Sequence, residues 1–432
     1  MSPVRLPREI YLCAVIAFSV GLGFGVVGPA LPILADHFGT GSTMVGMAIS
    51  AMAFMRFASA VVNSRFVARL GEKRMLGLGL WLQGVSTLAA ALAPSFEWLV
   101  VMRAVSGIGS SAFTIAAMSL VLRVAPRGRS GEAMGVFQSG FLMGSIAGPG
   151  IGGPLADLDP RAPFLLYAGV LIVAGVVAQV GLPTTPPGTT PVAGGPDDDT
   201  GGTSHLTGRA AALAVLACLA VQFGIGWLFY GVRNSTIPMY ANDALGASGT
   251  FTGAALLGTA VAQVVSIRFF SRWSDTRGRR GPLLTGTVLG TGAVVLLAAV
   301  PGQAVFAVSM LLLGIAGGGI ASGSMAVLSD VSQGADRARK VAWFNMAGDL
   351  GGITGPVAAG ALADTAGFGA AFGVTAGMLG LGLLAVVAMP ETMAPRLLAG
   401  APPVPQQRAG GPPELTGAEA VPPRPAADAT PD

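Results

Sequence analysis

Residues Gly135 to Asp157 read GVFQSGFLMGSIAGPGIGGPLAD, and the fold can be worked out from this stretch outward. Gly140, Gly144, Gly148 and Gly152 recur every four residues. On a helix they form one flat stripe where a second backbone can lie close. Pro149 removes a backbone donor inside the run, which predicts a kink. In water so many glycines make a poor helix. In a bilayer, neighbouring helices satisfy the freed backbone groups.

The stretch occurs twice. Gly144, Gly148, Pro149, Gly153 and Asp157 return as Gly351, Gly355, Pro356, Gly360 and Asp364, and PLAD is answered by ALAD. The offset of 207 residues that separates Gly144 from Gly351 also pairs Asp36 with Asp243, Gly46 with Gly253, Arg65 with Arg272, Gly71 with Gly278 and Pro94 with Pro301. A constant offset with no gap implies two related halves in the same orientation.

Apolar residues make up 52% of the 432, charged residues 11%, and the mean hydropathy is +0.68. That balance belongs to a polytopic membrane protein. The 65 glycines follow no collagen-like period, so they point to close helix packing. Cys13 and Cys218 lie inside apolar runs, and His37 and His205 are far apart, so neither a disulfide framework nor a metal site is indicated. No Walker loop is present, nor any pairing of acids or of a nucleophile with a base. A cofactor, a nucleic-acid partner and enzymatic chemistry are therefore not expected.

Apolar runs at 10–34, 45–64, 75–93, 98–121, 132–155 and 164–182 predict six spans, each near the ~20 residues a bilayer needs. Six more follow at 210–238, 251–271, 282–300, 304–327, 341–363 and 369–389. The expected organisation is a short N-terminus (1–9), a six-helix bundle (10–182), a Pro, Gly, Thr and Asp-rich linker (183–209), a second bundle (210–389) and a disordered tail (390–432). Nearly all of the 25 lysines and arginines fall in the termini and in the loops that even-numbered crossings place on one side. Both termini and the linker are therefore expected in the cytoplasm, with the chain multi-pass in the plasma membrane.

The pattern resembles the major facilitator superfamily, and within it the twelve-helix drug:proton antiporters, over residues 10–389. Gly135, Gly144, Gly148, Pro149, Gly152 and Gly153 match that family's fifth-helix antiporter motif at every fixed position. The resemblance implies an all-α membrane protein of twelve helices in two pseudo-symmetric bundles, in which this helix seals the cavity on one side. Arg103, Gly107 and Gly109 resemble the R-x-x-x-G-x-G motif, whose arginine is implied to influence proton transfer. Its counterpart in the second half is Met310. Asp275, Gly278, Arg279 and Arg280 resemble the cytoplasmic loop motif G-x-x-x-D-R-x-G-R-R. In the first copy, Gly71, Lys73 and Arg74 remain but Ala68 replaces the aspartate that the family uses as a latch.

Charges inside the spans mark the candidate site. A charge at the bilayer centre costs at least about 2.5 to 3.5 kcal/mol, so each needs a partner or a task. Arg56 and Asp349 lie at matching depths, about 12 Å in, on helices two and eleven, which pack together in the family fold. They are candidates for an ion pair across the seam, either a proton-sensitive latch or a permanent pair. Asp36 either reaches Arg103 or solvates a helix end. Arg103 and Arg233 without acidic partners would leave a positive cavity. Gln138 and Asn345 are equivalent in the repeat, as are Arg56 and Gln263. With Gln222, Tyr230 and Asn234 they are candidates to line a central cavity, or to bond between helices. The expected function is export of a small organic molecule in exchange for protons, by a monomer that rocks its halves. The alternative is a proton-independent or proton-symport carrier of an organic anion or metabolite.

Overall fold

The computed structural model describes residues 6–36, 38–126, 129–183, 208–331 and 336–393, and among these every regular element is helical. The first half contains α1 (Arg8–Asp36), α2 (Ser42–Leu70), α3 (Glu72–Ala91), α4 (Phe96–Val124), α5 (Ser130–Leu158) and α6 (Ala162–Gly181). The second contains α7 (Gly208–Ala244), α8 (Gly249–Arg277), α9 (Arg280–Ala299), α10 (Gln303–Val331), α11 (Asp336–Ala366) and α12 (Phe368–Ala388). Helices of 20 residues or more rise at least the ~30 Å of a hydrocarbon core. Nine of them, judged on the described residues, are also apolar enough to cross a membrane. The other three, α3, α5 and α11, are diluted by glycine and polar residues.

The packing repeats between the halves. Helix α1 lies on α5, α4 on α2 and α3, and α3 on α6. Correspondingly α7 lies on α11, α10 on α8 and α9, and α9 on α12. Across the seam α2 meets α11 and α5 meets α8. Each half has its own apolar core, with Phe164 fully buried in one and Phe306 and Phe372 in the other.

The glycine stripe of α5 does what its spacing predicts. A methyl group on Gly140, Gly144 or Gly152 would collide with the carbonyls of Ala14, Phe18 or Val26, and Gly148 lies against Leu22 and Gly25. These backbones touch, so no side chain fits between them. Pro149 cannot donate to the Ser145 carbonyl, and a Cβ on Gly25 would stand 2.8 Å from that oxygen. By contrast, Gly135 has nothing within 4 Å of where its Cβ would be.

Helix α7 is broken. It is α-helical over Gly208–Ile225, widens to a π turn over Gly226–Gly231, tightens to a 3-10 turn over Val232–Asn234, and resumes at Thr236–Met239 before a second π turn, Tyr240–Ala244. Pro238 lacks the N–H that would bond the Asn234 carbonyl, which accounts for the loss of regularity there. Breaks of this kind are tolerated at membrane depth where protein surrounds the backbone, and Val232, Ser235 and Ile237 are buried.

Most of the expected linker and tail, the N-terminal residues 1–5 and His37 lie outside the described residues, as do the side chains of Asp36 and Tyr230. Glu391, Thr392 and Met393, expected in the tail, are instead held against the second bundle. Glu391 Oε1 and Oε2 accept the backbone N–H groups of Arg279 (2.8 Å) and Arg280 (3.1 Å), the unpaired donors at the start of α9.

Candidate functional site

The two ends of the seam differ. On one side, here the basic side, lie Arg65, Arg69, Lys73, Arg74, Arg272, Arg277, Arg279 and Arg280 at helix ends. On the opposite side, here the far side, the halves are in backbone contact. A methyl on Gly46 would strike the Pro356 carbonyl, and one on Gly253 the Pro149 carbonyl, which is the same contact repeated between α2 and α11 and between α5 and α8. Gly360 meets the Ser42 carbonyl and Gly153 the Gly249 carbonyl in the same way. Ser50 Oγ donates to the Ile353 carbonyl at 2.6 Å. Gly153 and its repeat mate Gly360 therefore hold the halves together, while Gly140, Gly144, Gly148 and Gly152 hold α5 to α1. One motif serves two interfaces.

Toward the basic side, the seam helices carry polar groups at the surface. Gln138 on α5, Asn345 and Asp349 on α11 are exposed, and Arg56 on α2 is half-buried. Arg56 acts electrostatically on Asp349, but no ion pair within 4.0 Å joins them among the described residues. The pair expected from depth and charge is thus brought together across the seam without being closed. Gln222 lies against Gly348 of α11, and Gln263 and the Phe229 ring lie against Gly317 of α10, so these side chains fill the spaces that glycines leave. The Arg233 guanidinium sits over the Phe229 ring, 5.5 Å from its centroid, and Asn234 faces Gly28 of the first half.

Inside the first bundle the structure collects a polar cluster that sequence reading only partly foresaw. Arg103 is 7% exposed, and its Nε has no hydrogen-bond partner among the described residues. The buried Tyr167 lies within electrostatic range of Arg103 and of Arg56. Gln83 Nε2 donates to Tyr167 Oη at 2.8 Å, and among the described residues Gln83 Oε1 and the hydroxyls of Ser106 and Ser110 are buried without a partner. Buried polar atoms are costly when unpaired, so this cluster is a place where water, a proton carrier or a ligand atom gains the most by binding. The equivalents of Arg103, Gln83, Tyr167, Ser106 and Ser110 are Met310, Gly290, Val374, Leu313 and Gly317, so the cluster belongs to one half only.

With this geometry in hand, comparisons with known proteins decide the family. The profile described as Major Facilitator Superfamily matches residues 13–233 and again 219–413. The chain belongs to the major facilitator superfamily. This is a family of non-enzymatic carriers. It is 28% identical over 179 residues to an uncharacterised MFS-type transporter of Methanocaldococcus jannaschii, covering 41% of this chain and 46% of that protein. It is 25% identical over 263 residues to Multidrug resistance protein 1 of Bacillus subtilis strain 168, covering 59% and 65%. It is 27% identical over 173 residues to the quinolone resistance protein NorA of Staphylococcus aureus strain MRSA252, covering 40% and 44%. The chain thus spans less than two thirds of the length of each of these relatives. A solved structure of a bacterial homologue of the human lysosomal transporter Spinster, inward-facing and unoccupied, superposes with a TM-score of 0.67 at 13% identity, over 89% of this chain and 98% of that one.

In this superfamily member the basic loop motif is a set of ion pairs. Arg279 bonds Asp275 (2.5 Å) and Asp330 (3.4 Å), and Thr392 Oγ1 donates to Asp330 at 2.9 Å. In the first half, Glu72 occupies the position of Arg279 and Arg123 that of Asp330, and these two also pair, at 3.2 Å. The repeat conserves the ion pair and exchanges its signs. Asp275 is engaged by Arg279 of its own half. Gly71 and Gly278 both take positive φ, 82° and 110°, which the turn between helices requires and a side chain resists. The Glu72, Arg123 and Glu391 contacts were missed in the sequence. Reading the repeat for opposite charges at equivalent sites was the signal for the first two.

Proposed function

We propose that this chain is a secondary transporter that exports small organic molecules in exchange for protons by alternating access, with the basic side in the cytoplasm. The observation that carries the reading is the α5 antiporter motif acting in both interfaces: its glycines press α5 onto α1 and, on the far side, onto α8. Polar seam residues Gln138, Asn345 and Asp349 are exposed and Arg56 is half-buried toward the basic side, while on the far side the halves are in backbone contact. That is the arrangement of a carrier open to the cytoplasm. The multidrug and quinolone resistance names of two relatives support a drug-like cargo. Arg103, Arg56 and Asp349 are the groups we assign to proton coupling or gating, and Gln222, Gln263, Arg233 and Asn234 to the cavity wall.

The test is proton movement in inverted vesicles. With an inward-acidic gradient imposed, a panel of cationic, neutral and anionic compounds is screened for release of protons reported by a pH dye. Compound-dependent release, lost in Arg103→Ala, supports antiport. Silence across the panel, together with radiolabelled uptake that ignores pH, refutes it. One observation favours a second reading: Arg103 has no acidic partner among the described residues, which suits a carrier of organic anions. An anion-only response in the same panel would select it.

A further inference from the structure

The far side of the seam is closed by two matching carboxylates. Asp364, at the end of α11, accepts the backbone N–H of Ser42 (2.7 Å) through Oδ1, and the N–H (2.8 Å) and hydroxyl (2.5 Å) of Thr43 through Oδ2. Asp157, at the end of α5, accepts the N–H of Gly249 (2.7 Å) through Oδ1, and the N–H (2.7 Å) and hydroxyl (2.5 Å) of Thr250 through Oδ2. Both carboxylates and all four acceptor-facing residues are related by the internal repeat. Each aspartate belongs to one half and caps the first turn of a helix in the other.

The chemistry makes these caps strong and breakable together. The first N–H groups of a helix have no partner in the helix, and the helix dipole places positive charge there. Gly41 at the start of α2 offers no side-chain cap, and Ser248 at the start of α8 takes only the Phe251 N–H. The opposite half therefore supplies the missing acceptor in both places. Charge-assisted bonds of this type are about twice as strong as neutral ones. When the halves part, these donors lose their carboxylates at once and pass to water. A contact that holds only while the halves are together has the property of a gate.

We propose that Asp157 and Asp364 form a symmetric two-point latch that holds the far side shut, and that its release is the step that opens the carrier to that side. The proposal rests on the seam geometry and not on cargo or proton coupling. Asparagine is the informative replacement. It keeps the shape but presents an amide N–H₂ where one carboxylate oxygen stood, so it can satisfy only one of the two sets of donors.

The experiment measures distances in the full chain in lipid nanodiscs, without cargo. One labelled pair carries spin labels at Leu92→Cys and Val300→Cys, exposed far-side positions in opposite halves, and a second pair at Leu70→Cys and Arg277→Cys on the basic side. The native Cys13 and Cys218 are buried. In the double variant Asp157→Asn, Asp364→Asn the far-side distance gains a longer population while the basic-side distance gains a shorter one. Packing damage alone would broaden both without this opposite movement, and that result, or unchanged distributions, would overturn the proposal. Should the double variant fail to fold, Thr43→Val with Thr250→Val removes one bond from each latch and is expected to move both distances in the same directions by less. A cargo-free shift that coexists with failed antiport assays would leave the latch standing and reject only the transport reading.

Discussion

Arg103 concentrates the cost and the use of a buried charge. Its guanidinium is enclosed in the first bundle, its Nε is unpaired among the described residues, and the second half has a fully buried Met310 in its place. Arg103→Met is therefore expected to raise the thermal midpoint in detergent, because it removes a charge that costs at least about 2.5 kcal/mol to insert. The same variant is expected to lose proton-coupled transport by on the order of 100-fold, the scale of a positioned proton-transfer group. A variant that is both less stable and fully active would show that the arginine is structural. Tyr167 makes the complementary case: Tyr167→Phe leaves Gln83 Nε2 without its acceptor, and a loss of about 1 to 3 kcal/mol is expected in the same melting measurement.

Helix α5 separates motif membership from packing. Gly135 and Gly144 belong to the same signature, but only Gly144 is pressed onto another backbone. Gly144→Ala is expected to destabilise by about 1 to 3 kcal/mol through forced separation of α1 and α5. Gly135→Ala is expected to be neutral or to gain up to about 1 kcal/mol, since alanine is the better helix former and has open space. Melting curves of the two single variants decide the matter, and equal losses would mean that Gly135 makes a contact in another state of the carrier. At the start of α3, Glu72 pairs with Arg123 at the end of α4. Glu72→Gln is expected to cost about 1 to 3 kcal/mol, because Arg123 keeps its charge without that partner. Adding charges in the second half's order, Glu72→Arg with Arg123→Asp, is expected to recover most of that loss.

The molecule as a whole is two copies of one bundle clamped on the far side. Glycine contacts, proline carbonyls and aspartate caps occur in pairs across the seam, so the closing surface is symmetric even though the interior is not. Under the antiport proposed above, proton coupling is assigned to residues that the repeat does not duplicate. Asp349 has Leu142 as its repeat mate, and Arg56 has Gln263. Asp349→Asn is expected to flatten the dependence of transport on pH while leaving folding intact, because Asp349 is exposed and carries no ion pair within 4.0 Å among the described residues. An unchanged pH profile would remove Asp349 from coupling.

Much of this was legible in the chain itself. Apolar runs near bilayer length predicted twelve helices, because a spanning segment must satisfy its own backbone. The constant offset predicted two alike halves, and the four-residue glycine spacing predicted close approach, because helix period places those residues on one stripe. Periodicity is local and survives in one dimension. Which backbone the stripe would touch, that α7 would break between Gly226 and Ser235, and that Arg56 and Asp349 would approach without pairing were decided by the tertiary structure. The same holds for the caps: Asp157 and Thr250 are visible as repeats of Asp364 and Thr43, but their pairing joins residues far apart in sequence. A hydrogen bond depends on distance and direction in space, and two halves packed across a seam bring together groups that no sequence spacing relates.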